Sequence, residues 1–522
     1  PGSDRTERAT LMTAHALDDL VAATARLTPL QVPELGPAAA RPVTAVAYDS
    51  RAVTPGAVFV ALRGAHRDGT EYVEQAVKNG AIAIVADRAV AGAGVPCIVA
   101  DNGRVALAAF AASFYGHPSD HLLLVGVTGT NGKTTSMYLC EGVFQACGWT
   151  SGRIGTTGSR IGAVEHASAR TTPEAPDLQH LLRQMVDEGC RACAMEVSSH
   201  ALDLERVTFT RFGAAIFTNL TRDHLDYHGD METYFAAKRR LFEMLPPEAP
   251  AAINIDDPRA DALVGLVARP VTYALTREAD VWPTSLDLTL TGIDAMVRTP
   301  AGPLRLRTRL PGRPNAYNAL GVVAAAIGLG VPVASIEEGL ANVKAVPGRF
   351  ELVSSDADDI SVVVDYAHTD DALRNLLETA RALAPRRVVT VFGCGGDRDR
   401  TKRPLMGAVA ARLSDLVILT SDNPRSEDPA AIIEDIKRGL VQPERPTRHA
   451  GQAVAAVQST PWLAIVDREE AIARAIVDAQ PGDVVLIAGK GHESTQTIGD
   501  RVLPFEDGSM ARTALRRRRG GA

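Results

Sequence analysis

A glycine-rich loop between an apolar run and a helical pattern constrains the fold of this chain more than any other feature. Residues 122–127 predict a buried strand, and from Lys133 onward Leu139 and Val143 recur at helical spacing. The loop Gly129-Thr130-Asn131-Gly132-Lys133-Thr134-Thr135 therefore lies where a strand meets a helix N-terminus. Backbone N–H groups and the helix dipole favour phosphate at such a point. The sequence predicts a site for nucleotide phosphates.

The residue types of this loop suggest individual roles. Gly129 and Gly132 permit close backbone approach to a phosphate. Lys133 would reach the terminal phosphates, and the Thr134 hydroxyl would ligate Mg²⁺. The general motif has a glycine five residues before Gly132, where this chain has Val127. Because kinases, motors and ligases all use such loops, the loop predicts nucleotide binding without naming a reaction.

Length and chain breaks predict three domains in an α/β fold. A chain of 522 residues is too long for one hydrophobic core, and strand-like runs alternate with helical patterns. Breaks near residues 118–120 and 347–349 divide it into residues 1–120, 121–346 and 347–522. The central domain carries the phosphate loop on a parallel or mixed sheet. Four apolar runs in the last domain predict a Rossmann-like, doubly wound sheet.

Composition argues against several classes of protein. A net charge of −7 does not suit a general nucleic-acid binder, and no segment reaches the roughly 18–20 apolar residues of a membrane span. Six cysteines fit a reducing cytoplasm. Cys190 and Cys193 are interpreted as small residues on a helix end rather than a zinc pair. The run Arg516-Arg517-Arg518-Arg519 predicts a frayed, solvated tail.

Further motifs follow the loop in a fixed order. They are Met195-Glu196-Val197-Ser198-Ser199-His200, Thr218-Asn219-Leu220-Thr221-Arg222-Asp223-His224, Tyr234-Phe235-Ala236-Ala237-Lys238, Asn315-Ala316-Tyr317-Asn318, Pro347-Gly348-Arg349 and Asp365-Tyr366-Ala367-His368. Together with the loop, this series resembles the Mur ligases of peptidoglycan synthesis over residues 49–493. The resemblance implies a cytoplasmic, monomeric, ATP-dependent amide-forming ligase. Its three domains would hold a UDP-linked substrate, ATP and an incoming amino acid.

The resemblance also implies a catalytic and metal-binding set. Glu196 and His224 would hold Mg²⁺ beside Thr134, and Lys238 would be carbamylated by CO₂ and bind a second Mg²⁺. From the sequence alone, Lys238 lies in a short amphipathic helix, where a lysine is usually on the solvated face. The implied catalytic residues are Lys133, Glu196, His224, Lys238, Arg349, Asp365 and His368.

The implied nucleotide and UDP-substrate contacts lie in separate segments. Asn315 and Asn318 would lie near the adenine, although plain helix capping is an alternative for Asn315, and Arg349 and Asp365 would face the nucleotide. The implied UDP-substrate contacts are Ser50, Ala65, His66, Arg67, Thr171, Thr172, Ser198 and Arg206. This chain departs from its relatives at Arg170, Leu204 and Asp370, where they carry Asn, Gln and Pro.

The third domain predicts the added amino acid. Asp422-Asn423-Pro424-Arg425 resembles the motif of Mur ligases that add meso-diaminopimelate, whose second carboxylate lysine lacks. Arg425 and Arg398 are suited to bind a carboxylate. Glu493, with the carbonyl of Gly489, would hold the distal ammonium. Cys394 has no evident base beside it and is interpreted as a small residue in a turn.

Two groups of alternatives remain from the sequence. A lysine-adding Mur ligase or a folylpolyglutamate synthetase shares the phosphate loop. A nucleotide-binding regulatory protein that has lost catalysis is an alternative of another class. The substrates expected from the favoured interpretation are ATP, UDP-MurNAc-L-Ala-D-Glu and meso-diaminopimelate.

Overall fold

The structure of the protein is a computed structural model that describes residues 15–64, 67–168, 170–289, 291–382, 384–440 and 460–520. The α/β class expected from the sequence is confirmed, because layers of helices cover mainly parallel sheets. None of the helices within these ranges is long and apolar enough to cross a membrane.

A parallel sheet of four strands, with three helices, is formed by the N-terminal region. The strands are β1 (Ala45–Ala47), β2 (Ala57–Val60), β3 (Ala83–Ala86) and β4 (Cys97–Val99), paired in that order. The helices are α1 (Leu17–Ala25), α2 (Val73–Lys78) and α3 (Gly103–Phe114). The apolar runs at 57–62 and 81–86 correctly predicted β2 and β3, which are buried on both faces.

A second, larger sheet carries the phosphate loop. Its strands are β5 (Leu123–Thr128), β6 (Ser151–Gly155), β7 (Gly158–Ile161), β8 (Val164–His166), β9 (Ala192–Glu196), β10 (Ala214–Phe217), β11 (Ala251–Asn254) and β12 (Pro270–Tyr273). They pair in the order β12-β11-β10-β5-β9-β6-β7-β8, with β7 and β8 antiparallel additions at one edge. The helices are α4 (Lys133–Ala146), α5 (Ala175–Asp187), α6 (Ser199–Asp203), α7 (Leu225–His228), α8 (Met231–Glu243) and α9 (Ala260–Val264).

A small antiparallel sheet and two helices follow. The strands β13 (Trp282–Thr289), β14 (Gly292–Arg298) and β15 (Leu304–Thr308) pair in sequence order. Helices α10 (Arg313–Gly328) and α11 (Val333–Asn342) pack against α4. Apolar side chains of β14, β15, α4 and α10 share one buried core, so this sheet is part of the same folded unit as the phosphate loop.

The last sheet is built from β16 (Glu351–Leu352), β17 (Ser361–Asp365), β18 (Val388–Phe392), β19 (Leu416–Leu419), β20 (Trp462–Ala464) and β21 (Val484–Ala488). Its order is β16-β17-β21-β18-β19-β20, and all pairs except β16–β17 are parallel. The helices are α12 (Asp370–Ala382), α13 (Lys402–Leu413), α14 (Pro429–Leu440), α15 (Arg468–Val477) and α16 (Asp507–Arg519), and β22 (Thr495–Ile498) pairs with β23 (Arg501–Pro504). The predicted doubly wound sheet is confirmed.

Two sequence-based expectations are wrong. The arginine run lies in α16 rather than in a frayed tail, because Arg518 and Arg519 pair with Asp359 and Asp358. Cys193 is not on a helix end but inside β9, where it is fully buried. The boundaries at 120/121 and 346/347 stay predictions; the first falls in the 3₁₀ turn Pro118–His121 and the second between α11 and β16.

Sheet order places the ends of distant strands side by side. In the larger sheet, β10, β5 and β9 are neighbours, so the segments after residues 128, 196 and 217 leave the same edge. In the last sheet, β17, β21, β18 and β19 are neighbours, which aligns the segments after residues 365, 488, 392 and 419. Ligand sites of parallel sheets form at such carboxyl edges.

Candidate active site

The phosphate loop needs glycine at two of its positions. Gly129 has φ +144° and Gly132 has φ +90°. A Cβ atom at Gly129 would lie 1.9 Å from Thr218 Oγ1, and one at Gly132 would lie 2.1 Å from Asn318 Oδ1. The loop thus packs directly against the segment after β10 and against α10, which requires glycine at both positions.

Two lysines converge on one carbonyl of this loop. Lys133 Nζ donates to the carbonyl oxygens of Gly129 (2.9 Å) and Thr130 (2.8 Å), and Lys238 Nζ donates to Gly129 O at 2.7 Å. Lys238 is 1% exposed, so the solvated-face alternative for it is wrong. Burial lowers the pKa of Lys133, and burial together with the charge of Lys133 lowers the pKa of Lys238 well below its usual value. Burial at this position therefore favours the uncharged amine form of Lys238 over the ammonium.

Glu196 lies at the end of β9 with its carboxylate held in place. Thr156 donates to Oε1 through its backbone N–H (2.9 Å) and to Oε2 through its hydroxyl (3.2 Å). Thr172 donates to the Glu196 carbonyl at 2.8 Å. The residue is 1% exposed, yet it lines the cleft beside the phosphate loop. A buried carboxylate with few protein donors suits a cation.

His224 has the left-handed backbone conformation, with φ +55°. Its backbone N–H donates to Asp223 Oδ1 at 2.9 Å. Its ring packs edge to face against the ring of His200, with 4.8 Å between the ring centres. Burial lowers the pKa of His224 to about 3. The imidazole is neutral at physiological pH, which is the form that ligates metals.

The last sheet supplies three side chains to the same cleft. Arg349 Nη2 donates to Thr134 Oγ1 at 3.0 Å, and its guanidinium lies 4.6 Å from the centre of the Tyr366 ring. Asp365 accepts from the N–H groups of Phe350 (2.7 Å) and Ala367 (2.8 Å), and burial raises its pKa. His368 Nδ1 lies 2.9 Å from Tyr366 O, and burial lowers its pKa to about 4.

Asn315 and Asn318 lie inside α10 rather than at its cap. Gly312 precedes the helix, and Asn315 Nδ2 donates to Pro311 O at 2.8 Å, so the capping alternative for Asn315 is wrong. Asn318 Nδ2 donates to Asn315 Oδ1 at 3.2 Å. Both amides are buried against the phosphate loop and line its cleft.

These groups form one cleft, called here the first cleft. Of the sequence-predicted residues it is lined by Thr130, Asn131, Gly132, Lys133, Thr134, Thr135, Thr171, Glu196, Ser198, His224, Lys238, Asn315, Asn318, Arg349, Asp365 and His368. Thr172 and Arg206 lie just behind it, with Arg206 Nη1 donating to Thr172 O at 3.2 Å. Ser50 and Arg67 belong to the first sheet region and do not line it, and Ala65 and His66 lie outside the described residues.

A second cleft adjoins the first and holds the residues expected to bind the amino acid. It is lined by Arg398, Asp422, Asn423, Arg425, Gly489 and Glu493, whereas Pro424 is buried and does not line it. Asp223, His224, Tyr366 and His368 line both clefts. Arg425 has φ +52°, and its Nη1 donates to Gly396 O at 2.7 Å. A Cβ at Gly395 would lie 3.0 Å from Arg425 Nη1 and 3.8 Å from Arg398 Cγ, so the two arginines flank one glycine.

Sequence reasoning missed several residues of the two clefts. Thr156, Asp223, Tyr366 and Lys402 line them, and Asp371 Oδ2 accepts from Asn131 Nδ2 of the phosphate loop at 3.1 Å. Asp223 stands next to His224, which was a usable signal. The roles of Thr156 and Asp371 depend on contacts across 40 and 240 residues, which a sequence does not display. Asp370, where the family resemblance implies proline, is the first residue of α12.

Three family models match this chain in the order of the sheets. They are the Mur ligase family catalytic domain (residues 42–115), the Mur ligase middle domain (127–326) and the Mur ligase glutamate ligase domain (348–491).

Curated relatives and a solved structure are similar over nearly the full chain. A UDP-N-acetylmuramoyl-L-alanyl-D-glutamate--2,6-diaminopimelate ligase of Geobacillus thermodenitrificans (strain NG80-2) is 46% identical, covering 91% of this chain and 96% of that protein. The ligase of the same name from Alkaliphilus metalliredigens (strain QYMF) is 43% identical, covering 89% and 92%. A solved structure of a protein with that name has a TM-score of 0.65 and 32% identity, covering 95% of this chain and 99% of that one.

Proposed function

The chain belongs to the Mur ligase family, and from that premise we propose that it joins meso-diaminopimelate to the D-Glu γ-carboxylate of UDP-MurNAc-L-Ala-D-Glu at the expense of ATP. It is an ATP-dependent ligase. The observation that carries the proposal is the junction of the two clefts at Asp223, His224, Tyr366 and His368. A phosphate site and a carboxylate-reading arginine pair meet there, as joining an activated acid to an amine requires.

The reaction proceeds through two displacements. The substrate carboxylate attacks the γ-phosphorus of ATP, ADP leaves, and an acyl phosphate forms. The amine of the amino acid then attacks the acyl carbon, and phosphate and a proton leave as the amide bond forms. Lys133 and Arg349 line the first cleft and would stabilise charge on the transferring phosphoryl group. Thr171, Thr172, Ser198 and Arg206 would orient the carboxylate, while Ser50 and Arg67 would hold the uridine end.

The donor set of the first cleft fits Mg²⁺. Within the described ranges, no three His, Cys, Asp or Glu side chains are grouped for a metal ion. Mg²⁺ prefers oxygen ligands and takes several of them from phosphates and water. Thr134, Glu196 and His224 would hold it, and when bound it would offset the charge of the nucleotide phosphates.

Lys238 is suited to carbamylation. Its buried amine, in the unprotonated form that the lowered pKa favours, would attack the carbon of CO₂, forming an N–C bond and releasing a proton. The resulting carbamate anion would serve as a further metal ligand beside the phosphates. A carbamate signal in ¹³C NMR after addition of ¹³C-bicarbonate, absent in Lys238→Met, would support this assignment; equal spectra for the two proteins would refute it.

Phosphate release tests the proposed reaction. We expect release from ATP with UDP-MurNAc-L-Ala-D-Glu and meso-diaminopimelate, and little with L-lysine. Lys133→Met is the matched negative control, since it keeps the volume of the loop but removes its cation. Release with lysine alone would overturn the amino-acid assignment, and release with neither amine would overturn the ligase assignment.

A further inference from the structure

A fully buried lysine lies beneath the second cleft. Lys490 is 0% exposed, and its Nζ donates to Asn423 Oδ1 (3.2 Å), Glu493 Oε2 (3.1 Å) and Thr495 O (2.7 Å). These bonds use all three N–H groups of the ammonium. Lys490 therefore has no donor left for a ligand, but it contacts two side chains that line the cleft.

The amide of Asn423 is also engaged within the protein. Its Oδ1 accepts from Lys490 and from the N–H of Thr497 (2.9 Å), and its Nδ2 donates to Glu493 Oε2 at 2.7 Å. Its Oδ1 and one N–H of its Nδ2 are thus engaged within the protein, and Asn423 holds Glu493 in place.

Glu493 consequently has two different oxygens. Oε2 receives Lys490 and Asn423, whereas Oε1 has no protein donor among the described residues. The side chain is 31% exposed and lines the second cleft. One oxygen is fixed to the protein, and the other is directed to bind an ammonium.

We propose that Lys490 is a positioning residue that sets the stereochemical selectivity for the distal centre of the diamino acid. The inference rests on the proposed function. The distal carbon carries a carboxylate and an ammonium, which Arg398 with Arg425 and Glu493 bind from different strand ends. The carbon chain of the diamino acid is the third group attached to this carbon, so binding groups in fixed positions accept only one configuration of the distal centre. If Glu493 were free to rotate, its carboxylate could bind the ammonium of either configuration.

The test is Lys490→Met, which keeps an unbranched side chain and removes the ammonium. Values of kcat/KM are measured for meso- and L,L-diaminopimelate, together with KM for ATP. We expect the preference for the meso form to fall by about tenfold or more, because selectivity is a difference between two binding energies. KM for ATP should change less than about twofold, because the ATP-binding residues line the first cleft.

A matched control breaks a buried ion pair at the other end of the same strand. Asp483, 0% exposed, pairs with Arg387 at 2.5 Å just before β21, whereas Lys490 lies just after it. Asp483→Asn should lower the melting temperature and leave the stereochemical preference unchanged. An equal loss of preference in both variants would mean that Lys490 acts only through stability, and the inference would be wrong.

Two further measurements separate the possible failures. If Lys490→Met does not fold, Lys490→Ala is assayed with and without n-propylammonium, which is expected to restore the preference by refilling the cation site; no restoration would overturn the inference. A wild-type protein that turns over both isomers equally well would also overturn it. A wild-type protein inactive with either isomer would instead overturn the proposed function.

Discussion

Single residues acquire their chemistry from burial in this protein. Lys238 occupies a helix whose pattern allows a solvated lysine, but its ammonium site lies under the phosphate loop, within 4.5 Å of the Tyr234 ring centre. The sequence alone gave no signal of this, because the burying groups come from other elements. The family resemblance was the source of the proposed carbamylation of Lys238, and the lowered pKa of its amine gives that proposal a physical basis.

Arg425→Lys tests whether Arg425 binds the second carboxylate of diaminopimelate. A lysine keeps the charge but loses the planar pair of donors, so KM for diaminopimelate should rise about tenfold or more while KM for ATP changes little. Steady-state kinetics with each substrate varied in turn measures both. Arg438→Lys, on an exposed part of α14, is the control. An equal rise for ATP would show that Arg425 acts on the domain as a whole.

At the scale of elements, several buried strands were predictable, whereas the buried strand β9 and the helix α16 were not. Continuous apolar runs predicted β2, β5, β18, β19 and β21, since strands covered on both faces lack polar alternation. The helix α16 ends in four arginines, which alone suggest repulsion and fraying. It is ordered because Arg518 donates to Asp359 and to the carbonyls of Ile476, Val477 and Ala479 at the end of α15.

Arg518→Ala should therefore destabilise the protein without changing how tightly it binds its substrates. Losing a cation that satisfies helix-terminal carbonyls costs about 1–3 kcal/mol. We expect a melting temperature lower by a few degrees in differential scanning fluorimetry and unchanged KM values. Arg517→Ala, a neighbour in the same run whose side chain is exposed, should change little. A comparable loss in that control would assign the effect to helix propensity.

At the scale of the molecule, the last sheet region closes over the phosphate loop. The contacts are Asn131–Asp371 (3.1 Å), Thr134–Arg349 (3.0 Å), Thr156–His492 (3.3 Å) and Arg222–Asp399 (3.5 Å). Sequence analysis identified Asn131, Thr134 and Arg349 but not their pairing, since the partners lie more than 170 residues apart. Which faces meet is a property of the packed domains.

Asp371→Ala tests this closure. The variant removes the Asp371 carboxylate that accepts from Asn131 and leaves its Nδ2 only the longer bond to Thr221 Oγ1 (3.4 Å), so the phosphate loop loses one contact that stabilises the closed form. KM for ATP should rise roughly threefold to tenfold, in line with the loss of a charge-assisted hydrogen bond. Asp370→Ala is the control, because Asp370 pairs with Arg374 of its own helix at 4.0 Å. An unchanged KM for ATP in Asp371→Ala would contradict a role in closure.

Stability should fall as the solution is acidified. Burial lowers the pKa values of His368 and His492 to about 4, below the ordinary value of a histidine, which the unfolded chain retains. Between about pH 6.5 and 4 the unfolded state binds more protons, so the free energy of unfolding decreases as pH falls through this window. His492→Gln should flatten the dependence of melting temperature on pH. An exposed-histidine control, His121→Gln, should not.

The four contacts across the junction also have a kinetic consequence. We expect products formed between the sheets to leave only after contacts such as Thr134–Arg349 and Asn131–Asp371 break, a step that bond formation itself does not need. We expect the first turnover to be faster than the later ones. Quenched-flow experiments should show a rapid burst of ATP cleavage, followed by a slower phase that is limited by product release and depends on solvent viscosity. A single linear phase would place the slow step in chemistry. If product release is the slow step, mutations that remove these contacts should raise kcat and also raise KM for ATP.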